Sequence, residues 1–154
     1  TSKFSETLKT LHKKYDLLRV ILWFEGIELK KSCNQSIHTV TYFFEYASDE
    51  TLTEAKQSSL SRLLADLKNK HGEKILLIPI AGNLELASIE LRKDKYKISE
   101  LPVIIIDEEK IVQEEITLEE LEQITFELEG YEELKGVVFT KARLSEIDKV
   151  IKLN

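Results

Sequence analysis

Apolar residues near the start of the chain fall at Phe4, Leu8, Leu11, Tyr15, Leu18 and Leu22, in alternating steps of four and three. That spacing keeps one stripe on one face of a helix, so a long helix is predicted over residues 5–31. From Leu17 to Phe24 the apolar character spreads around the helix, which calls for burial on more than one side. Residues 39–46 are rich in Thr, Val, Tyr and Phe and read as a strand. A second helix is expected over residues 52–70, striped by Leu60, Leu63, Leu64 and Leu67 and closed by His71 and Gly72. Thr51 with Glu54 three residues on has the spacing of a capping box. Residues 74–80 form a nearly all-apolar strand, as expected for burial on both faces of a sheet, with Pro79 expected at its end, where no ladder donor is needed.

The pattern continues with a helix over residues 84–94, then Glu100-Leu101-Pro102 and an all-apolar strand over residues 103–106. Asp107-Glu108-Glu109-Lys110 reads as a tight turn, and residues 111–116 as the returning arm of a hairpin. Thr117 with Glu120 is another capping-box spacing, opening a helix through Phe126. Val137-Val138-Phe139 reads as a short strand, and Leu144, Ile147, Val150 and Ile151 as the stripe of a final helix.

The 154 residues suffice for one compact domain with appended helices. The 22 basic and 28 acidic side chains leave a net charge of −6 and alternate along the chain. No basic block carries interleaved aromatics, so a nucleic-acid footprint is not expected. The most apolar run is interrupted by Arg19 and Glu25 and is too short to span a bilayer. Cys33 is the one cysteine, which excludes an internal disulfide. His12, His38 and His71 fall in different predicted elements and suggest no metal site, and no cofactor is implied. No glycine-rich phosphate loop and no Ser/His/Asp arrangement is visible.

From Thr39 to Phe126 the order is strand, helix, strand, helix, Leu-Pro, strand, strand, helix. This order resembles the thioredoxin-like superfamily. The resemblance implies an α/β fold: a mixed sheet of four core strands flanked by helices, with the long N-terminal helix added. It further implies that Pro102 takes the cis form and borders a peptide groove. The N-terminal helix followed by Tyr42-Phe43-Phe44 is similar to archaeal thioredoxin-domain proteins, some of which carry a membrane anchor upstream. The expected organisation is a helix over residues 1–36, a thioredoxin-like domain over 37–128 and a C-terminal extension over 129–154.

The family's Cys-x-x-Cys opens the helix after the first strand. Here that window holds Ser48, Asp49, Glu50 and Thr51, with Ser48 and Thr51 at the cysteine positions. Thiol–disulfide exchange needs a thiolate and a resolving thiol, and two hydroxyls supply neither. Asp49 and Glu50 add negative charge where a helix amino end would otherwise stabilise a thiolate. Ser48 or Thr51 is therefore expected to cap the helix, and the domain to be a non-catalytic module for a protein or peptide partner. Two other readings stand beside it: a redox protein working through Cys33, its thiol influenced by Lys30 and Lys31, and a spacer on a membrane-anchored protein. The sheet is expected to cover the helix near Leu17–Phe24, leaving Phe4, Leu8 and Leu11 to overhang and need a partner, most simply a second copy joined through the stripe Phe4, Leu8, Leu11, Tyr15, Leu18 and Leu22.

Overall fold

The structure is a computed structural model that describes residues 2–33, 36–127 and 137–139. Among them, α1 (Ser2–Cys33), α2 (Thr51–His71), α3 (Ala87–Tyr96) and α4 (Leu118–Thr125) flank a mixed sheet. Its strands are β1 (His38–Phe44), β2 (Ile75–Ala81), β3 (Val103–Ile106), β4 (Lys110–Val112) and β5 (Val137–Phe139), in the order β2-β1-β3-β4-β5. β1 and β2 run parallel, which requires the α2 crossover between them. The remaining neighbours are antiparallel. The expected final helix stripe lies outside the described residues.

Successive strand residues point to opposite faces, and two apolar layers result. Val40, Tyr42, Ile75, Ile104, Ile106 and Val112 pack against Leu60, Leu64 and Leu67 of α2 and Leu121 and Ile124 of α4. Phe43, Ile78, Ile80, Val103, Ile105 and Ile111 pack against Val20 and Trp23 of α1 and Ile89 and Tyr96 of α3. The core is thus sandwiched between two helical layers, and α1 belongs to it.

Two elements depart from expectation. Pro79 sits inside β2, opposite Tyr42, not at the strand's end. β2 is an edge strand, so the missing N–H of proline faces away from the ladder and costs no hydrogen bond. On α1 the packing face is Asp16, Val20, Trp23, Gly26, Ile27 and Lys30, whereas the 4-3 stripe faces solvent along its length. Gly26 is where α1 comes closest to the sheet: a Cβ there would lie 2.6 Å from Leu76 Cδ2. α1 runs antiparallel to β2, since Asp16 meets Ala81 at the strand's end and Gly26 meets Leu76 near its start.

Lys110 is fully buried on β4 and donates to the Ile124 carbonyl at 2.9 Å, placing a cation at the carboxyl end of α4. The amino end of α4 carries a capping box of Thr117 and Glu120. The Leu101–Pro102 peptide bond, in the segment that delivers the chain to β3, is cis.

Candidate functional site

At the carboxyl end of β1 the chain turns through Ala47, whose φ of 51° lies in the left-handed region, a conformation that costs a side-chain-bearing residue about 1 kcal/mol. Two side-chain amides fix the strand just before this turn. Gln57 accepts from the Glu45 N–H at 2.6 Å and donates to the Glu45 carbonyl at 3.1 Å. Asn83 accepts from the Tyr46 N–H at 2.8 Å and donates to the Tyr46 carbonyl at 2.9 Å. Each amide thus prolongs the β1 ladder by one residue in place of a neighbouring strand. The Tyr46 ring also lies 4.3 Å from the ring of His12 on α1.

Beyond the turn, the expected cap is corrected. Glu50, extended at φ −96° and ψ 116°, is the residue that precedes the first helical turn, and no side chain caps α2. Thr51 is already helical, so its hydroxyl is past the capping position, and Glu54 bonds through its N–H to the Glu50 carbonyl. The Ser48 hydroxyl instead accepts from the Glu50 N–H at 3.3 Å, closing a local turn. Glu50 accepts from the Thr53 hydroxyl at 2.8 Å.

Facing this turn across a groove of about 510 Å³ is the segment Ser99, Glu100 and Leu101. Glu45, Glu50, Leu52, Thr53 and Lys56 line the other wall. Lys56 is engaged with the Gln113 carbonyl at 2.7 Å. Gly82 shapes the wall behind Leu101: a Cβ at that position would lie 3.0 Å from the leucine. Leu52, on the first turn of α2, is 79% exposed at the groove's rim. Of Ser48, Asp49, Glu50 and Thr51, Glu50 lines this groove, and Pro102, next to Leu101 in sequence, is buried. Cys33 stands at the far end of α1. Lys30 and Lys31 beside it in sequence are engaged by Asp107 and Glu108 and by Glu28, respectively.

The opposite end of the sheet holds a polar network that local sequence signals do not reveal. Asp107 and Glu108, between β3 and β4, have φ of 51° and 60°. Two successive left-handed residues suit the twist of a tight hairpin, but Asn-Gly is the usual choice. Here side-chain bonds offset the backbone cost. The Lys30 ammonium donates to Asp107 Oδ1 and Glu108 Oε2, each at 3.0 Å, and to Thr39 Oγ1 at 3.1 Å. Trp23 Nε1 donates to Glu108 Oε1 at 2.8 Å, and the Thr39 hydroxyl donates to the same oxygen at 2.5 Å. His38 Nδ1 meets Asp107 Oδ2 at 2.7 Å. Burial opposes the charge on Lys30, but the two carboxylates outweigh it and hold its pKa above the ordinary lysine value. Burial likewise pushes Asp107 up, and the His38 bond with the Lys30 charge more than reverses this, leaving its pKa below the ordinary carboxyl value. An ammonium so held is protonated at neutral pH and is not a nucleophile. The network therefore acts as an ionised clasp between α1, β1 and the hairpin.

Asp16 is different in kind. It is buried on α1, accepts from the Ala81 N–H at 3.0 Å, and leaves Oδ2 without a partner. Burial raises its pKa against the opposing effects of the Ala81 bond, Arg19 and His12. Among the described residues, no three His, Cys, Asp or Glu side chains come together to hold a metal ion, and no helix is long and apolar enough to cross a membrane. Of the outward stripe on α1, Phe4, Leu11, Tyr15, Leu18 and Leu22 are exposed and Leu8 is half-buried. Compared with protein-family models, curated proteins and solved structures, the chain matches none.

Proposed function

We propose that this chain is a thioredoxin-like domain without a redox pair, serving as a protein- or peptide-interaction module whose binding site is the groove between the β1–α2 turn and Leu101. The fold part of the reading is supported by the strand order, with parallel β1 and β2 joined through α2 and the antiparallel β3–β4 hairpin entered after Pro102. The observation that carries the functional part is Leu52: a leucine 79% exposed at the mouth of a groove whose opposite wall presents Leu101. Exposed single leucines are common on protein surfaces. This one stands on the first turn of a helix, beside strand ends held by Gln57 and Asn83. A held frame with an exposed apolar anchor suits binding, because little ordering cost remains when a ligand docks. The chemistry available there is recognition: the hydroxyls of Ser48 and Thr51 have neither the acidity nor the resolving partner that thiol exchange needs.

The test is selection of binders from a random peptide display library against the native chain, followed by titration of the enriched peptides. Enriched peptides should lose at least tenfold in affinity for Leu52→Asp, a change at an exposed position that leaves the fold intact by circular dichroism. Peptides that bind Leu52→Asp and the native chain equally would place binding elsewhere and overturn the reading. So would a library that yields no binder.

A further inference from the structure

We infer that α1 pairs antiparallel with α1 of a second copy through its outward stripe, giving a twofold dimer. This interface is separate from the proposed groove and does not rest on that reading. The stripe is made of Phe4, Leu8, Leu11, Tyr15, Leu18, Leu22 and, one step beyond Glu25, Leu29. All of these except half-buried Leu8 are exposed, Leu18 by 62%. At 100° per residue the stripe is centred about 110° around the helix from the face that packs on the sheet. In an antiparallel twofold both packed faces turn to the same side of the helix pair, and the seam itself is made of residues other than those that hold α1 to the sheet.

The stripe is complementary to itself in one orientation. Leu8, Tyr15, Leu22 and Leu29 occupy one class of seam position, and Phe4, Leu11, Leu18 and Glu25 the other. Antiparallel pairing layers one class on the other. With the twofold axis level with residue 20, Leu18 lies against Leu22 of the second copy, Leu11 against Leu29, and Tyr15 against Glu25. The one acidic interruption of the seam thereby meets a phenolic hydroxyl, able to donate to it. On the flank, Lys14 comes beside Glu28 of the second copy, twice by symmetry. Glu28 at present holds the exposed Lys31 at 3.3 Å, a contact that leaves room for a second cation. Parallel pairing would instead stack Glu25 on its own mate in the seam and set Lys14 beside Arg19, both repulsive. The antiparallel form keeps one like-charge contact, Arg19 with its mate at the axis. Matching a patch to itself through a twofold is the usual geometry of homodimers.

Sedimentation of the native chain at micromolar concentration should show a dimer. Leu18→Glu with Leu22→Glu should give a folded monomer, since both side chains are exposed in the single chain. Lys14→Glu should weaken the dimer, and adding Glu28→Lys should restore it. Orientation is read by oxidative cross-linking in a Cys33→Ser background: Ile21→Cys, close to the axis, should link to its mate, and Leu11→Cys should not. A native chain that stays monomeric, or a dimer unaffected by the double glutamate substitution, overturns the interface. Linking through Leu11→Cys but not Ile21→Cys overturns the antiparallel arrangement.

Discussion

Lys30 shows how far a single side chain can reach in organising this domain. It joins α1 to residues 77 and 78 positions away in sequence, so no local pattern could have announced it. The same holds for Trp23, whose apolar ring the sequence marks for burial, against the sheet or a partner, but whose N–H partner, Glu108, lies 85 positions on. What the sequence did show at this scale was a tight turn at Asp107–Lys110, not its two left-handed residues or the reason two acidic residues tolerate them. Lys30→Met should leave Asp107 and Glu108 without their cation and lower stability by about 3 kcal/mol at neutral pH, the range for breaking a buried pair. The folded pKa of Asp107 is depressed, so its contribution is present above its unfolded value of about 3.9. That contribution is lost as pH falls through the lower folded value. Urea denaturation of both proteins should therefore show a gap that is steady from roughly pH 5 upward and closes in acid. A gap independent of pH would mean the clasp contributes packing, not charge. Asp16 has the opposite sign. Its folded pKa is raised, so its protonated form favours the fold and that contribution is lost as pH rises through the folded value. The stability of the native chain minus that of Asp16→Asn should thus fall as pH rises from the acid range to neutrality. Parallel curves would contradict the burial argument.

Among the elements, apolar runs were legible and their place in the sheet was not. β3 begins and ends where the apolar run does, because a strand covered on both faces is written as a continuous run. β2 carries the same kind of run yet lies at an edge. Apolarity reports burial of the faces and says nothing of hydrogen-bonding neighbours, so Pro79 was expected at the strand's end and is found inside it. On α1 the most regular stripe turned out to face outward. The packed face was hidden because it includes Asp16, Gly26 and Lys30, residues that simple apolar counting leaves out. The two capping-box spacings divide in the same way: Thr117 with Glu120 is a capping box and Thr51 with Glu54 is not. The difference is one residue in where the chain turns helical, which the spacing alone does not fix. Thr117→Ala should accordingly lower the melting free energy by about 1 kcal/mol. Ser48→Ala and Thr51→Ala should each stay within about 0.5 kcal/mol of the native chain, as substitutions away from special features do. A loss at Ser48 or Thr51 equal to that at Thr117 would show that one of them caps α2 after all.

Taken whole, the molecule has two differently built ends. The Lys30 clasp ties α1 to the amino end of β1 and the hairpin, while the groove, Leu52 and the Ser48–Thr51 turn lie at the carboxyl end of β1. In the antiparallel pair inferred above, His12, against Tyr46 next to the groove residue Glu45, stands eight residues from the axis level. The two grooves would then be offset along the helix axis by roughly 24 Å at 1.5 Å per residue. Two separated sites would let a partner with repeated segments bind by avidity. That the Ser48–Thr51 turn and Leu101 fall at one end of the sheet was legible in the order of elements. Gln57 and Asn83 were not, because an amide that extends a strand carries no sequence signature. The proposed reading is a thioredoxin-like scaffold whose site serves recognition and not thiol exchange. Reduction of insulin disulfides, measured side by side for the native chain, Cys33→Ser and the double variant Ser48→Cys with Thr51→Cys, tests it most directly. The native chain and Cys33→Ser should be equally inert, and the double variant should form one internal bridge and turn over. Activity of the native chain above Cys33→Ser, or two new thiols that stay unbridged under oxidation, would contradict it.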